Sequence, residues 1–223
     1  EKARVLAAHQ LECDPDDLEF AGGTFSVKGS PDTAKTIQEL AFASFVAHDL
    51  PEGAAPILTA DAVVDPETFP FPHGTHLAHV EVDTETGRVE LKQYVAVDDV
   101  GKVVNPLVVE GQVHGGVTQG IAQALFEGAV YDAEGNLVTG TMVDYLVPSA
   151  ADLPSFSTDR TETPSTTNPL GVKGVGEAGT IGAAPTVINA VVDALSHLGI
   201  TDMAMPAHPE RVWSAIQAAK GES

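Results

Sequence analysis

The chain has 223 residues, with 32 Asp and Glu against 11 Lys and Arg, a formal net charge of −21 and a pI near 4.4. Its 43% hydrophobic and 19% charged content are globular values, and the length allows one or two domains with a buried core. The acid excess excludes the clustered Lys and Arg that nucleic-acid phosphates and anionic membranes require, so no nucleic-acid partner is expected.

The N-terminal Glu1-Lys2-Ala3-Arg4 lacks the apolar core of a signal peptide. No run comes near the roughly 18 apolar residues of a membrane span, and the expectation is a cytoplasmic protein. Glu1 in place of methionine points to a piece of a longer chain. Cys13 is a single cysteine, which excludes an internal disulfide framework and any four-thiolate iron–sulfur cluster. Its neighbours Glu12 and Asp14 disfavour the thiolate, so Cys13 is no nucleophile.

Leu18–Val27 reads as two short strands around Gly22-Gly23, and Asp32–His48 as a helix with a stripe of Ile37, Leu40, Ala41 and Phe45. Residues 51–74 hold five prolines (51, 56, 66, 70 and 72) and read as an extended linker. In His76–Asp83 the apolar Ala78, Val80 and Val82 alternate with polar residues, which predicts a half-buried strand. Thr84–Gly87 is a turn, and Val89, Leu91, Val95 and Val97 mark a returning strand, giving a β-hairpin. Glu110–Glu127 predicts a helix, Tyr131 and Val138–Leu146 a short strand pair, and the Ser-, Thr- and Pro-rich Ser155–Asn168 a loop. Helices are expected near Pro185–Leu198 and Pro209–Ala219.

Three features could carry chemistry. On the Glu110–Glu127 helix, Gln112, Gln119 and Gln123 share a face with Gly116, opposite Val113, Val117, Ile121 and Leu125. Amides beside glycine offer hydrogen bonds and close backbone approach to a flat heterocycle; the alternative is a solvated polar face. The segment Gly171–Gly182 holds five glycines and one acid, Glu177, four residues after Lys173. That acid is a candidate general base, and the alternative is a helix cap. His73, His76 and His79 resemble a metal cluster, yet strand alternation sends His76 and His79 to opposite faces and leaves His73 outside the strand. No metal ligand is assigned.

Tyr94–Pro106, Val109–Gly116 and Gln119-Gly120 closely resemble the molybdenum hydroxylases, the xanthine dehydrogenase and aldehyde oxidase family. Gly171–Gly182 resembles its glutamate-bearing active-site segment and Pro209–Trp213 its C-terminal signature; the style is nearest to the large subunit of aerobic carbon monoxide dehydrogenase. The resemblance implies an α+β fold of mixed sheets with packed helices, the C-terminal molybdopterin-binding region of a larger subunit. Residues 1–68 are then an accessory α/β region and linker, and 69–223 the molybdopterin-binding region.

It further implies molybdopterin with molybdenum, in the cytosine dinucleotide form, held by Gln112, Gly115, Gly116, Lys173, Gly174, Val175 and Gly176. Glu177 matches the family's base, the carboxylate that accepts a proton as an oxygen nucleophile reaches the substrate carbon. The implied partners are the missing N-terminal half of the subunit, subunits carrying FAD and 2Fe-2S clusters, and a small-molecule substrate: an aldehyde, an N-heterocycle or carbon monoxide. The alternative is a non-catalytic assembly or structural module that binds no cofactor on its own. The copper-binding cysteine of true carbon monoxide dehydrogenases belongs upstream, and Cys13 does not match it.

Overall fold

The computed structural model describes residues 1–65 and 68–221, so Pro66 of the expected linker lies outside the described residues. The chain divides into two compact units, Glu1–Asp65 and Pro66–Ser223, and its elements make an α+β protein.

In the first unit, α1 (Lys2–Gln10) is followed by an antiparallel sheet of β1 (Leu18–Ala21), β2 (Thr24–Val27) and β3 (Ser30–Thr36), then by α2 (Ile37–Phe45). Gly22 and Gly23 turn β1 into β2 at φ 56° and 79°, a region glycine enters without the steric penalty of a Cβ. The helix expected over Asp32–His48 is shorter. Its first residues belong to β3, and Thr36 and Glu39 form a reciprocal capping box that starts α2. Leu6, Ala7, Ala8, Leu18, Phe25 and Leu40 form the core of this unit. Three of them are contiguous in α1, so that helix carries no periodic stripe in the sequence.

In the second unit, β4 (His73–Val82) and β5 (Val89–Asp99) form the expected antiparallel hairpin. β6 (Phe156–Thr161) pairs parallel to β5, making the sheet mixed, and it occupies part of the stretch expected to be a loop. Phe156 and Thr158 are its half-buried positions, too few to show alternation through the polar residues around them. The strand pair expected around Tyr131 reduces to an isolated bridge between Tyr131 and Leu137.

α3 (Pro106–Leu125) begins four residues earlier than expected, because Asn105 accepts a hydrogen bond from the Val108 N–H at 3.3 Å and Pro106 occupies the first turn. α4 (Ala178–Leu195) begins well before Pro185, which lies inside it, and α5 (Pro209–Lys220) closes the unit. By length and composition Ala178–Leu198 could cross a membrane, which corrects the expectation of no such run; its Ala183, Val187, Val191 and Leu195 lie in the core of this unit.

That core places Leu91, Tyr94 and Ala96 of the sheet against Val113, Val117 and Ile121 of α3, the buried stripe of α4, and Val212 and Ile216 of α5. Fully burying a large aliphatic side chain contributes roughly 1.5–3 kcal/mol, so this layer dominates the stability of the unit. The Pro209–Trp213 motif starts α5: His208 accepts from the Arg211 N–H at 3.3 Å, and the Arg211 guanidinium donates to the Pro206 carbonyl at 2.9 Å.

Candidate active site

The two motifs singled out on α3 and Gly171–Gly182 meet where α3 and α4 cross. A Cβ on Gly116 would stand 2.9 Å from the Thr180 nitrogen, and one on Gly179 2.6 Å from the Val113 oxygen. Real Cβ atoms do not come so near, and glycine at both positions lets the backbones touch. Gly116 is therefore buried against α4 rather than open on the glutamine face. It sits at the edge of that face, and α4 covers it.

The crossing brings Gln112, one turn before Gly116, beside the segment that leads into α4. A Cβ on Gly176 would have the Gln112 Oε1 as its neighbour, at 3.9 Å. Gln112, Gly115, Gly174, Gly176 and Glu177 are exposed, and Val175 is half buried. Nothing stands within 4 Å of a Cβ at Gly115 or Gly174. Bare backbone next to an exposed amide is a surface that a flat, polar, hydrogen-bonding ring system fits, so the residues present suit a pterin.

Glu177 occupies the N-cap position of α4, yet its side chain makes no capping hydrogen bond. The cap alternative raised by the sequence therefore does not account for its carboxylate. The Lys173 side chain is largely buried and committed elsewhere: its ammonium donates to Asp99 Oδ1 at 2.9 Å, with side-chain exposures of 11% and 1%. Only the backbone of Lys173 is left to serve a ligand.

Two buried aspartates of β5 were not legible as a site in the sequence. Asp99 also accepts from the Gly101 N–H at 3.0 Å and the Thr161 hydroxyl at 3.2 Å. Burial pushes its carboxyl up, but the donors from Lys173, Gly101, Thr163 and Thr161 outweigh burial and hold it well below the ordinary carboxylate range. Asp98 faces the other way, with Oδ1 at 3.2 Å from His76 Nε2, while His76 Nδ1 lies 2.7 Å from the Tyr94 hydroxyl. Burial pushes the Tyr94 hydroxyl well above its ordinary value, Thr186 lowers it and Asp98 raises it further.

His76 and Asp98 line a cavity of about 290 Å³ together with His73, Thr186 and Asn189. His73 is the first residue of β4 rather than outside it, while the His76 side chain is buried and His79 faces solvent. His79 thus diverges from the other two, and among the described residues no cluster of three metal-ligating side chains forms.

The sequence profile of the molybdopterin cofactor-binding domain matches residues 1–154. The chain belongs to this family, which places it among the molybdenum hydroxylases. It is 41% identical over 216 residues to the carbon monoxide dehydrogenase large chain of Hydrogenophaga pseudoflava, covering 97% of this chain and 27% of that protein. It is 39% identical over 222 residues to the nicotine 6-hydroxylase large subunit of Paenarthrobacter nicotinovorans, covering 99% and 27%. Among solved structures, a Cu,Mo-CO dehydrogenase superposes with a TM-score of 0.87 at 37% identity over 98% of this chain and 27% of that one. Quinoline 2-oxidoreductase from Pseudomonas putida 86 does so with a TM-score of 0.84 at 38% identity, covering 97% and 28%. The chain spans about a quarter of the length of these relatives.

Proposed function

We propose that this chain is the C-terminal portion of the catalytic subunit of a molybdenum-dependent hydroxylase, and that its α3–α4 crossing forms one wall of the cofactor site. The observation that carries the reading is the approach of Gln112 to Gly176, in the glycine-rich segment that leads into the exposed Glu177. Gln112 hydrogen-bonds the cofactor through its amide. Gly115 and the backbone of Lys173, Gly174, Val175 and Gly176 lie against it, while Gly116 serves by letting α4 approach.

When bound, the molybdenum cofactor supplies the two-electron redox chemistry of substrate oxidation. Glu177 acts as general base: a carboxylate oxygen accepts the proton released by the water-derived nucleophile as it attacks the substrate carbon. The carboxylate is uncommitted within the described residues, as a base that must receive a proton requires. The substrate is carbon monoxide, an aldehyde or an N-heterocycle, the first and last being the substrate types in the names of the similar enzymes. The cofactor takes the cytosine dinucleotide form, and the rest of the subunit closes its other side. Electrons leave through FAD and 2Fe-2S clusters on partner subunits in the cytoplasm.

The test is molybdenum and pterin analysis of the full-length subunit purified in its complex, with and without Gln112→Ala. One lost polar contact weakens cofactor retention about tenfold. Unchanged retention under competitive depletion would remove Gln112 from the site.

A further inference from the structure

The span that delivers Glu177 has almost no regular structure, so its course depends on what holds its two ends. At the α4 end, Gly179 packs on α3. At the other end, the Lys102 N–H donates to the Gly171 carbonyl and the Lys173 N–H to the Val100 carbonyl, each at 2.9 Å, forming a bridge between Gly101 and Val172. Beyond Lys173 the ties thin out. The Gly174 N–H reaches the Pro70 carbonyl at 3.3 Å, and the Ala178 N–H reaches the Val175 carbonyl at 3.3 Å. Two of the three residues between Lys173 and Glu177 are glycines, which leaves that backbone many accessible conformations.

The Lys173 side chain adds a second anchor at the start of this loosely held segment. Its ammonium is held by Asp99, whose carboxylate also receives the Gly101 N–H and the Thr161 hydroxyl. One buried carboxylate thereby ties β5, the turn after it, the end of β6 and the start of the glycine span. We propose that Asp99, acting through Lys173, is a positioning residue for Glu177. The proposal rests on the assignment of Glu177 as the base. A buried ion pair adds little net stability on average, so its consequence lies in where the 174–177 segment sits.

The experiment uses the full-length enzyme in its complex, with rates normalised to molybdenum content. Asp99→Asn, Lys173→Met and the double variant are compared with Lys173→Arg, which keeps the charge. The readouts are kcat, KM and amide hydrogen exchange of peptides spanning 174–177. The pair-breaking variants are expected to lose about 10²-fold in kcat, the scale of a misplaced catalytic group, with little change in KM. Exchange at 174–177 should accelerate while peptides from α3 and β5 exchange as in the parent, and Lys173→Arg should restore both readouts.

The double variant leaves no unpaired buried charge, so it decides the matter where a single variant fails to fold. A folded, loaded pair-breaking variant with parental kcat, or one whose exchange rises equally across the core, would overturn the proposal. Glu177→Gln in the same complex separates the two claims. If it turns over like the parent, the base assignment fails, and exchange at 174–177 alone decides whether the pair positions the segment.

Discussion

Gly179 of α4 and Val113 of α3 are in backbone contact: a Cβ on Gly179 would lie 2.6 Å from the Val113 oxygen and 2.8 Å from the Val117 nitrogen. This contact sets Gln112 beside the segment that ends in Glu177, since both residues lie within one helical turn of the crossing. Gly179→Ala should overpack the crossing and destabilise the protein by about 1–3 kcal/mol. Gly111→Ala, on the same α3 but with nothing within 4 Å, should be neutral or stabilising, because alanine favours helix over glycine by up to about 1 kcal/mol. Thermal midpoints measured side by side check this, and equal effects would contradict the crossing.

The Asp99–Lys173 pair predicts a pH dependence of definite sign. The folded-state value for Asp99 is depressed, because the donors around it outweigh its burial. An unfolded aspartate titrates near about 3.9, so the stabilisation is fully present above that pH and is lost as pH falls toward the lower folded value. The difference in thermal midpoint between parent and Asp99→Asn should be constant from about pH 5 to 8 and shrink below about pH 4. A difference that widens on acidification would contradict the pairing.

Cys13 is expected to be a slow thiol. Burial pushes its pKa up, and Asp17 and Asp14 push it further. A raised pKa leaves less thiolate at neutral pH, so alkylation at pH 7 should run slower than for a free cysteine and speed up as pH rises further into the alkaline range. Stopped-time labelling with iodoacetamide followed by peptide mass measurement reads this directly. A rate at pH 7 equal to that of a short cysteine peptide would count against the electrostatic account.

The parts of the fold written in local patterns were legible. Alternation announced the β4–β5 hairpin, and 3.6-residue spacing announced α3 and α5. β6 was hidden because only Phe156 and Thr158 turn inward in a Ser- and Thr-rich stretch. The start of α4 was hidden because Gly179 and Gly182 read as loop residues, whereas Gly179 is there for backbone contact with α3 and Gly182 because a Cβ would strike the His76 ring. Gln112 and Glu177 stood out as candidates because their residue types were unusual for their surroundings. Asp99 and Lys173, 74 residues apart, had no local pattern to join them; the bridge between Gly101 and Val172 brings them together.

Glu177 is the proposed base, and its amide variant isolates that role. Glu177→Gln keeps the shape and hydrogen-bonding reach of the side chain but cannot accept a proton at neutral pH. The measurement is the rate of substrate-driven reduction of the intact complex, parent against variant, at equal molybdenum loading. Loss of a general base predicts a fall of about 10²–10⁴-fold with molybdenum content unchanged. A Glu177→Gln enzyme that is fully loaded and reduced as fast as the parent would contradict the account.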